Sequence, residues 1–120
     1  MSDSGWIGVD LDGTLAEYGG WQGVRAIGKP IVPMLDRVKV WLAQGITVKI
    51  FTARMHGHGA PLIGGGTEDA LTPIQEWCLE YIGVQLEVTN KKDFGMVELW
   101  DDRCVQVIPN TGIRADGKPS

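Results

Sequence analysis

In the segment Val9-Asp10-Leu11-Asp12-Gly13-Thr14-Leu15, an apolar alternation that starts at Trp6 and runs through Ile7 and Val9 stops against Asp12-Gly13-Thr14. Alternation at period two followed by turn-forming residues reads as a β-strand, residues 6–11, entering a tight turn. Side chains two apart on a strand project to the same side, so Asp10 and Asp12 crowd one place at the strand's end. Their mutual repulsion raises one of the two pKa values, and the arrangement invites Mg²⁺ or a shared proton. A turn that merely ends the strand is the plain alternative.

Working outward, residues 16–30 hold four glycines and no sustained helical period, and they read as a short hairpin or flap. Pro33 opens a helix whose apolar residues, Met34, Leu35, Val38, Trp41 and Leu42, recur at three and four until Gly45. Thr47-Val48-Lys49-Ile50-Phe51-Thr52 is β-branched and apolar enough for a buried strand. Residues 55–71 contain five glycines without period and read as a long loop. Thr72-Pro73-Ile74-Gln75 has the form of a capping box, followed by Ile74, Trp77, Cys78, Tyr81 and Ile82 on one helical face and Gly83 as the stop. Short strands are expected at residues 85–88, 97–100 and 104–108, and residues 111–120 as a frayed tail. Strands alternating with helices of this length imply one α/β domain over residues 1–120, a three-layer, Rossmann-like fold around a mainly parallel sheet.

The polar residues at the other strand ends follow a pattern. Thr52 follows VKIF, Lys91-Lys92 follow EVTN, and Asp101-Asp102 follow VELW. Carboxyl ends of neighbouring parallel strands converge on one crevice, where such folds bind ligands. Acidic pairs, a hydroxyl and an ammonium gathered there suit phosphate with Mg²⁺. Taken singly, each has a plainer reading as a strand residue or a solvated turn.

VDLDGTL (9–15) resembles the first motif of the haloacid dehalogenase superfamily of aspartyl-phosphate hydrolases, IFTAR (50–54) the second, and WDDR (100–103) the fourth. The third motif is a lysine. The likeness extends from about residue 7 to 108. It implies that Asp10 is the nucleophile and that Asp12 is the general acid and base, its main-chain carbonyl also on Mg²⁺. It further implies that Thr52 binds a phosphoryl oxygen, that Asp101 ligates the metal directly, and that Asp102 supports the metal shell. Gly13, Thr14, Ala53 and Arg54 are assigned to substrate binding. Lys92, nine residues ahead of Asp101, is preferred to Lys91 for the phosphate, although Asp93 follows it where many members have Pro.

Other chemistries fit less well. A signalling receiver domain carries its phosphoacceptor on a central strand, where this chain reads VKIFT. His56-x-His58 with Cys78 or Cys104 has a zinc-like spacing but a glycine-flanked loop context. Gly64-Gly65-Gly66-Thr67 lacks the Lys-Ser/Thr ending of a nucleotide P-loop. The serious rival is a non-catalytic module that binds a phosphorylated ligand or a protein on the same fold.

The composition bounds the rest. At 120 residues the chain is long enough to bury a core without disulfide or structural metal, so Cys78 and Cys104, both on apolar patterns, are expected as free thiols in the cytoplasm. No apolar run approaches a membrane span. No cap domain fits between the motifs, and the open crevice this leaves suits a macromolecular substrate or one enclosed by a second copy of the chain. The motif order is also reminiscent of phosphatases that trim polynucleotide ends, against which the net charge of −4 and the lack of a basic stripe weigh. The flap and the 55–71 loop are expected to supply selectivity.

Overall fold

The computed structural model describes residues 5–55 and 69–119. Most of the 55–71 loop, with His56, His58 and the 64–67 glycine run, lies outside the described residues.

Four strands, β1 (Trp6–Val9), β2 (Val48–Phe51), β3 (Glu87–Thr89) and β4 (Met96–Trp100), form one sheet in the order β3-β2-β1-β4 with every pairing parallel. Helices α1 (Val32–Ala43) and α2 (Leu71–Tyr81) connect β1 to β2 and β2 to β3. The expected α/β fold with a parallel, Rossmann-like sheet is present. Register explains why its polar strand ends meet. Val9 lies opposite both Ile50 and Trp100, and Phe51 opposite Thr89, so all four strands finish along one edge. Asp10, Thr52, Asn90 and Asp101 are the next residues on each, and the Asp10 and Thr52 amides still donate to the Trp100 and Thr89 carbonyls, both at 2.9 Å.

Alternation gives the sheet two unlike faces. Ile7, Val9, Val48 and Ile50 join Met34, Leu35 and Val38 of α1 and Ile74, Trp77 and Cys78 of α2 in a single core cluster. Both crossovers step the same way across the sheet, and right-handed connections then place both helices on this face. The connection from β3 to β4, residues 90–95, holds no helix. Asp93 within it accepts the Trp6 indole N–H at 2.9 Å, so the crossover passes the face that Trp6 presents. The second helical layer expected from the sequence is therefore replaced, among the described residues, by an extended crossover.

Three further expectations are corrected. Residues 104–108 join no sheet: Asn110 and Gly112 take left-handed φ of 65° and 71°, and the chain doubles back so that Ile108 N–H donates to Ile113 O and Ala115 N–H to Gln106 O, each at 2.8 Å. The supposed frayed tail is thus the return arm of a small hairpin, and Cys104 is exposed while Cys78 is buried; both thiols are free. The N-terminus of α2 is capped by Asp69, whose Oδ1 accepts from the Leu71 and Thr72 amides at 3.0 and 3.1 Å, because the helix begins one residue ahead of the Thr72 box. Among the described residues no helix is long and apolar enough to cross a membrane.

Candidate functional site

The strand-end edge opens into a cleft of about 760 Å³. Asp10, Asp12, Thr52, Ala53, Arg54, Asp101 and Asp102, all singled out from the sequence, line it. Carboxylate oxygens of Asp10, Asp101 and Asp102 all lie within 4.8 Å of one another. Thr14 Oγ1 sits 3.3 Å from both Asp10 Oδ2 and Asp102 Oδ1, bridging the two segments. Asp101 Oδ1 accepts the Arg103 amide at 2.8 Å, a local turn that holds the acidic pair at the end of β4.

Gly13 makes this crowding sterically feasible. Its φ is +91°, and a Cβ there would stand 2.5 Å from Asp102 Oδ2. Only glycine accepts both the left-handed backbone and the carboxylate.

The electrostatics follow from the geometry. Burial, then the negative charge of Asp101 and a hydrogen bond with Asp102, push the Asp10 carboxyl up to about 7. A group held that far above the carboxylate range marks an anionic site short of positive charge. The Cys104 thiol is likewise pushed up, by desolvation and then by Asp101 and Asp10, which disfavours its thiolate. Three convergent carboxylates are oxygen donors of the kind a hard divalent cation such as Mg²⁺ prefers.

Asp12 points elsewhere. Its carboxylate is gripped by the Arg54 guanidinium, Nε to Oδ2 at 2.7 Å and Nη2 to Oδ1 at 2.9 Å. Arg54 also donates to two flap carbonyls, Val24 O at 3.1 Å through Nη1 and Ala26 O at 2.8 Å through Nη2. Trp77 of α2 donates its indole N–H to a third, Gly28 O at 2.9 Å. The hairpin expected at residues 16–30 is present, closed by an antiparallel bridge of Ala16 with Pro30. Arg54, with its side chain only 4% exposed, spends most of its donors within the protein. Its assignment to a substrate anion therefore becomes one of anchoring. Thr52 is buried, and its Oγ1 accepts the Arg54 amide at 3.1 Å, while among the described residues its own proton has no acceptor.

Lys92 is not brought to the cleft. Lys91 and Lys92 are both exposed, and neither lines it; Asn90, two residues earlier, does. Asp93 accounts for the local course of the chain, since it binds the Trp6 indole and the Gly95 amide at 2.8 Å. Those two donors, the indole first, hold its carboxyl below the usual range. Tyr18, Trp21, Asn90 and Arg103 also line the cleft. The aromatic pair set in Tyr18-Gly19-Gly20-Trp21 was the available signal for the first two; Asn90 at the end of EVTN and Arg103 at the end of WDDR lay within the strand-end segments but were given no role.

No family model matches the chain, and no curated protein matches its sequence. The chain is similar in structure to a conserved protein from Bacteroides thetaiotaomicron, with 21% sequence identity and a TM-score of 0.57 over 90% of this chain and 84% of that one. That likeness shows the fold alone.

Proposed function

We propose that the chain is a Mg²⁺-dependent phosphomonoester hydrolase that works through an aspartyl-phosphate on Asp10, as a small capless member of the haloacid dehalogenase superfamily. The observation that carries this reading is the meeting of Asp10, Asp101 and Asp102 oxygens within 4.8 Å at the end of a parallel sheet, beside a buried threonine whose hydroxyl proton has no acceptor among the described residues. Asp10 would hold the cation together with Asp101, the Asp12 main-chain carbonyl would add a further oxygen, and Asp102 would support that shell. When bound, the ion neutralises phosphoryl oxygens that would otherwise repel the carboxylate nucleophile.

The protein's own groups do the rest. An Asp10 oxygen attacks phosphorus in line with the departing alkoxide, and a proton from the Asp12 carboxyl goes to that alkoxide oxygen. Water, giving its proton back to Asp12, then attacks the phosphorus of the aspartyl-phosphate and frees Asp10 with inorganic phosphate. Thr52 Oγ1 donates to a phosphoryl oxygen throughout. The Arg54 fork fixes the plane of Asp12, and Asp12 must loosen one of those two hydrogen bonds to carry the proton. Two free thiols support a reducing compartment, and the cytoplasm is the proposed location.

The test is release of inorganic phosphate from a panel of phosphorylated metabolites, phosphopeptides and phosphorylated oligonucleotides, with and without Mg²⁺. Asp10→Asn, nearly isosteric but not nucleophilic, is expected to abolish turnover and keep the fold. Full activity in that variant rejects the mechanism. One observation favours the second reading, a module that binds phosphorylated ligands without turnover: among the described residues no lysine lines the cleft. Binding of Mg²⁺ and phosphate analogues with no turnover on any substrate would select it.

A further inference from the structure

We infer that the substrates of this cleft are phosphate monoesters whose alcohol carries a planar aromatic ring, of the size of a nucleoside 5′-monophosphate, and that the ring seats on the open face of Trp21. The inference rests on the hydrolase reading, which says where the leaving group must lie. The general acid delivers its proton to the departing oxygen, so the alcohol occupies the side of the phosphate that Asp12 faces. Asp12 is bonded to Arg54, and the Arg54 guanidinium lies over the Trp21 ring at 4.9 Å from its centroid. Trp21 therefore stands one side chain beyond the acid, on the leaving-group side.

The environment of Trp21 matches a ring acceptor. One face is occupied by the cation, which holds the plane of the indole. Even so the residue is 55% exposed while lining the cleft, so its other face is presented to whatever enters. Tyr18, 47% exposed, lines the same cleft from the same flap, and Val24 and Phe51 add apolar wall. A flat ring stacked on indole keeps its polar edge in the open mouth. A polyol or sugar would have no flat face to lay on the indole. A cleft of about 760 Å³ admits a mononucleotide. The chain's net charge of −4 favours the free nucleotide over a polynucleotide end.

The experiment compares kcat/KM for adenosine 5′-monophosphate, glycerol 3-phosphate, glucose 6-phosphate and a 5′-phosphorylated oligonucleotide in wild type, Trp21→Ala and Trp21→Phe, with binding of the first three to Asp10→Asn and to the double variant Asp10→Asn with Trp21→Ala measured by calorimetry. The nucleotide is expected to lead. Trp21→Ala should cut its advantage over glycerol 3-phosphate by roughly tenfold, the scale of one ring stacked on an aromatic residue, and Trp21→Phe should restore most of it. Equal rates for ring-bearing and ring-free esters, a sugar phosphate in the lead, or an oligonucleotide preferred to the mononucleotide would each overturn the inference while leaving the hydrolase reading intact. Absence of turnover on every ester would overturn the hydrolase reading alone, because a Trp21-dependent preference for the nucleotide in the binding measurement still supports the ring seat, and its absence there rejects it.

Discussion

Arg54 clasps Asp12 with two prongs of its guanidinium at 2.7 and 2.9 Å, joining residues that lie 42 apart in the chain. The pair links the turn after β1 to the short 3-10 helix (Ala53–Met55) that follows β2, and through Val24 O and Ala26 O it links both to the flap. Geometry of this kind, bidentate and nearly buried, is where an ion pair contributes measurably to stability and orientation.

Arg54→Ala should accordingly destabilise the protein by about 2–4 kcal/mol, since it strands a partly buried carboxylate and two carbonyls at once. Arg54→Lys should recover only part of this, because an ammonium cannot reproduce the fork. Denaturant unfolding midpoints measure both, and an unchanged midpoint in the alanine variant would show that the clasp contributes nothing.

Asp10 sets a pH dependence whose sign is fixed. Burial and the charge of Asp101 raise its carboxyl to about 7 in the folded protein, whereas the unfolded chain titrates near 4. The folded state holds the proton more tightly, so the stability this group contributes is complete below about pH 4 and is lost as pH rises through about 7. Without metal, the unfolding midpoint of the wild type should fall between about pH 5 and pH 8 relative to that of Asp10→Asn. Addition of Mg²⁺ near neutral pH should release protons, readable by calorimetry in two buffers of different ionisation enthalpy. A wild-type midpoint that rises against the asparagine variant over that window would contradict the raised value.

Gly13→Ala tests the crowding beneath the acidic cluster. The left-handed φ of +91° and the approach of Asp102 Oδ2 to 2.5 Å should together cost about 2 kcal/mol or more. Displacement of Asp102 should also weaken Mg²⁺ binding. Retention of both stability and affinity would mean that Asp102 moves aside freely.

The two lysines separate cleanly by substitution. Lys92→Ala should lower turnover on the order of 10²-fold, the usual loss of one electrostatic group at a phosphoryl site, with Lys91→Ala losing little. Both side chains are exposed outside the cleft, so this outcome requires the segment after β3 to turn inward when the phosphate is bound. If the ranking is reversed, Lys91 is the phosphate lysine. Equal, small losses would leave Asn90 as the cleft residue of that segment.

What the sequence disclosed and what it hid divide along the range of the interactions involved. The pairs Ile7 with Val9 and Val48 with Ile50 announce buried strands through neighbours two apart, and parallel pairing then aligns Asp10, Thr52 and Asp101 without further information. The bond from Trp6 to Asp93 spans 87 positions, and no local pattern reports that it replaces a helical layer. Arg54 looked like a free cation because its partners, Asp12, Val24 and Ala26, sit far upstream. Residues 104–108 are apolar and β-branched enough for a strand, yet Asn110 and Gly112 just beyond them turn the chain back on itself. The Thr72 box matched a pattern whose place in the structure Asp69 had already taken.

The carbonyls gripped by Arg54 and Trp77 belong to Val24, Ala26 and Gly28, alternate residues of one arm, and peptide oxygens are the same whatever side chain a codon specifies. The flap can thus accept new residues at Tyr18, Trp21, Gln22 and Arg25 while its mooring persists, whether the changes arise by drift or in a saturation library. On the proposed hydrolase reading, substrate preference would in that sense be a replaceable part, open to retailoring at a handful of codons with the proposed phosphate chemistry beneath it undisturbed. Gly28 is the exception: a Cβ there would collide with the Glu17 carbonyl, and a library that varies it would unmoor the arm it set out to redesign.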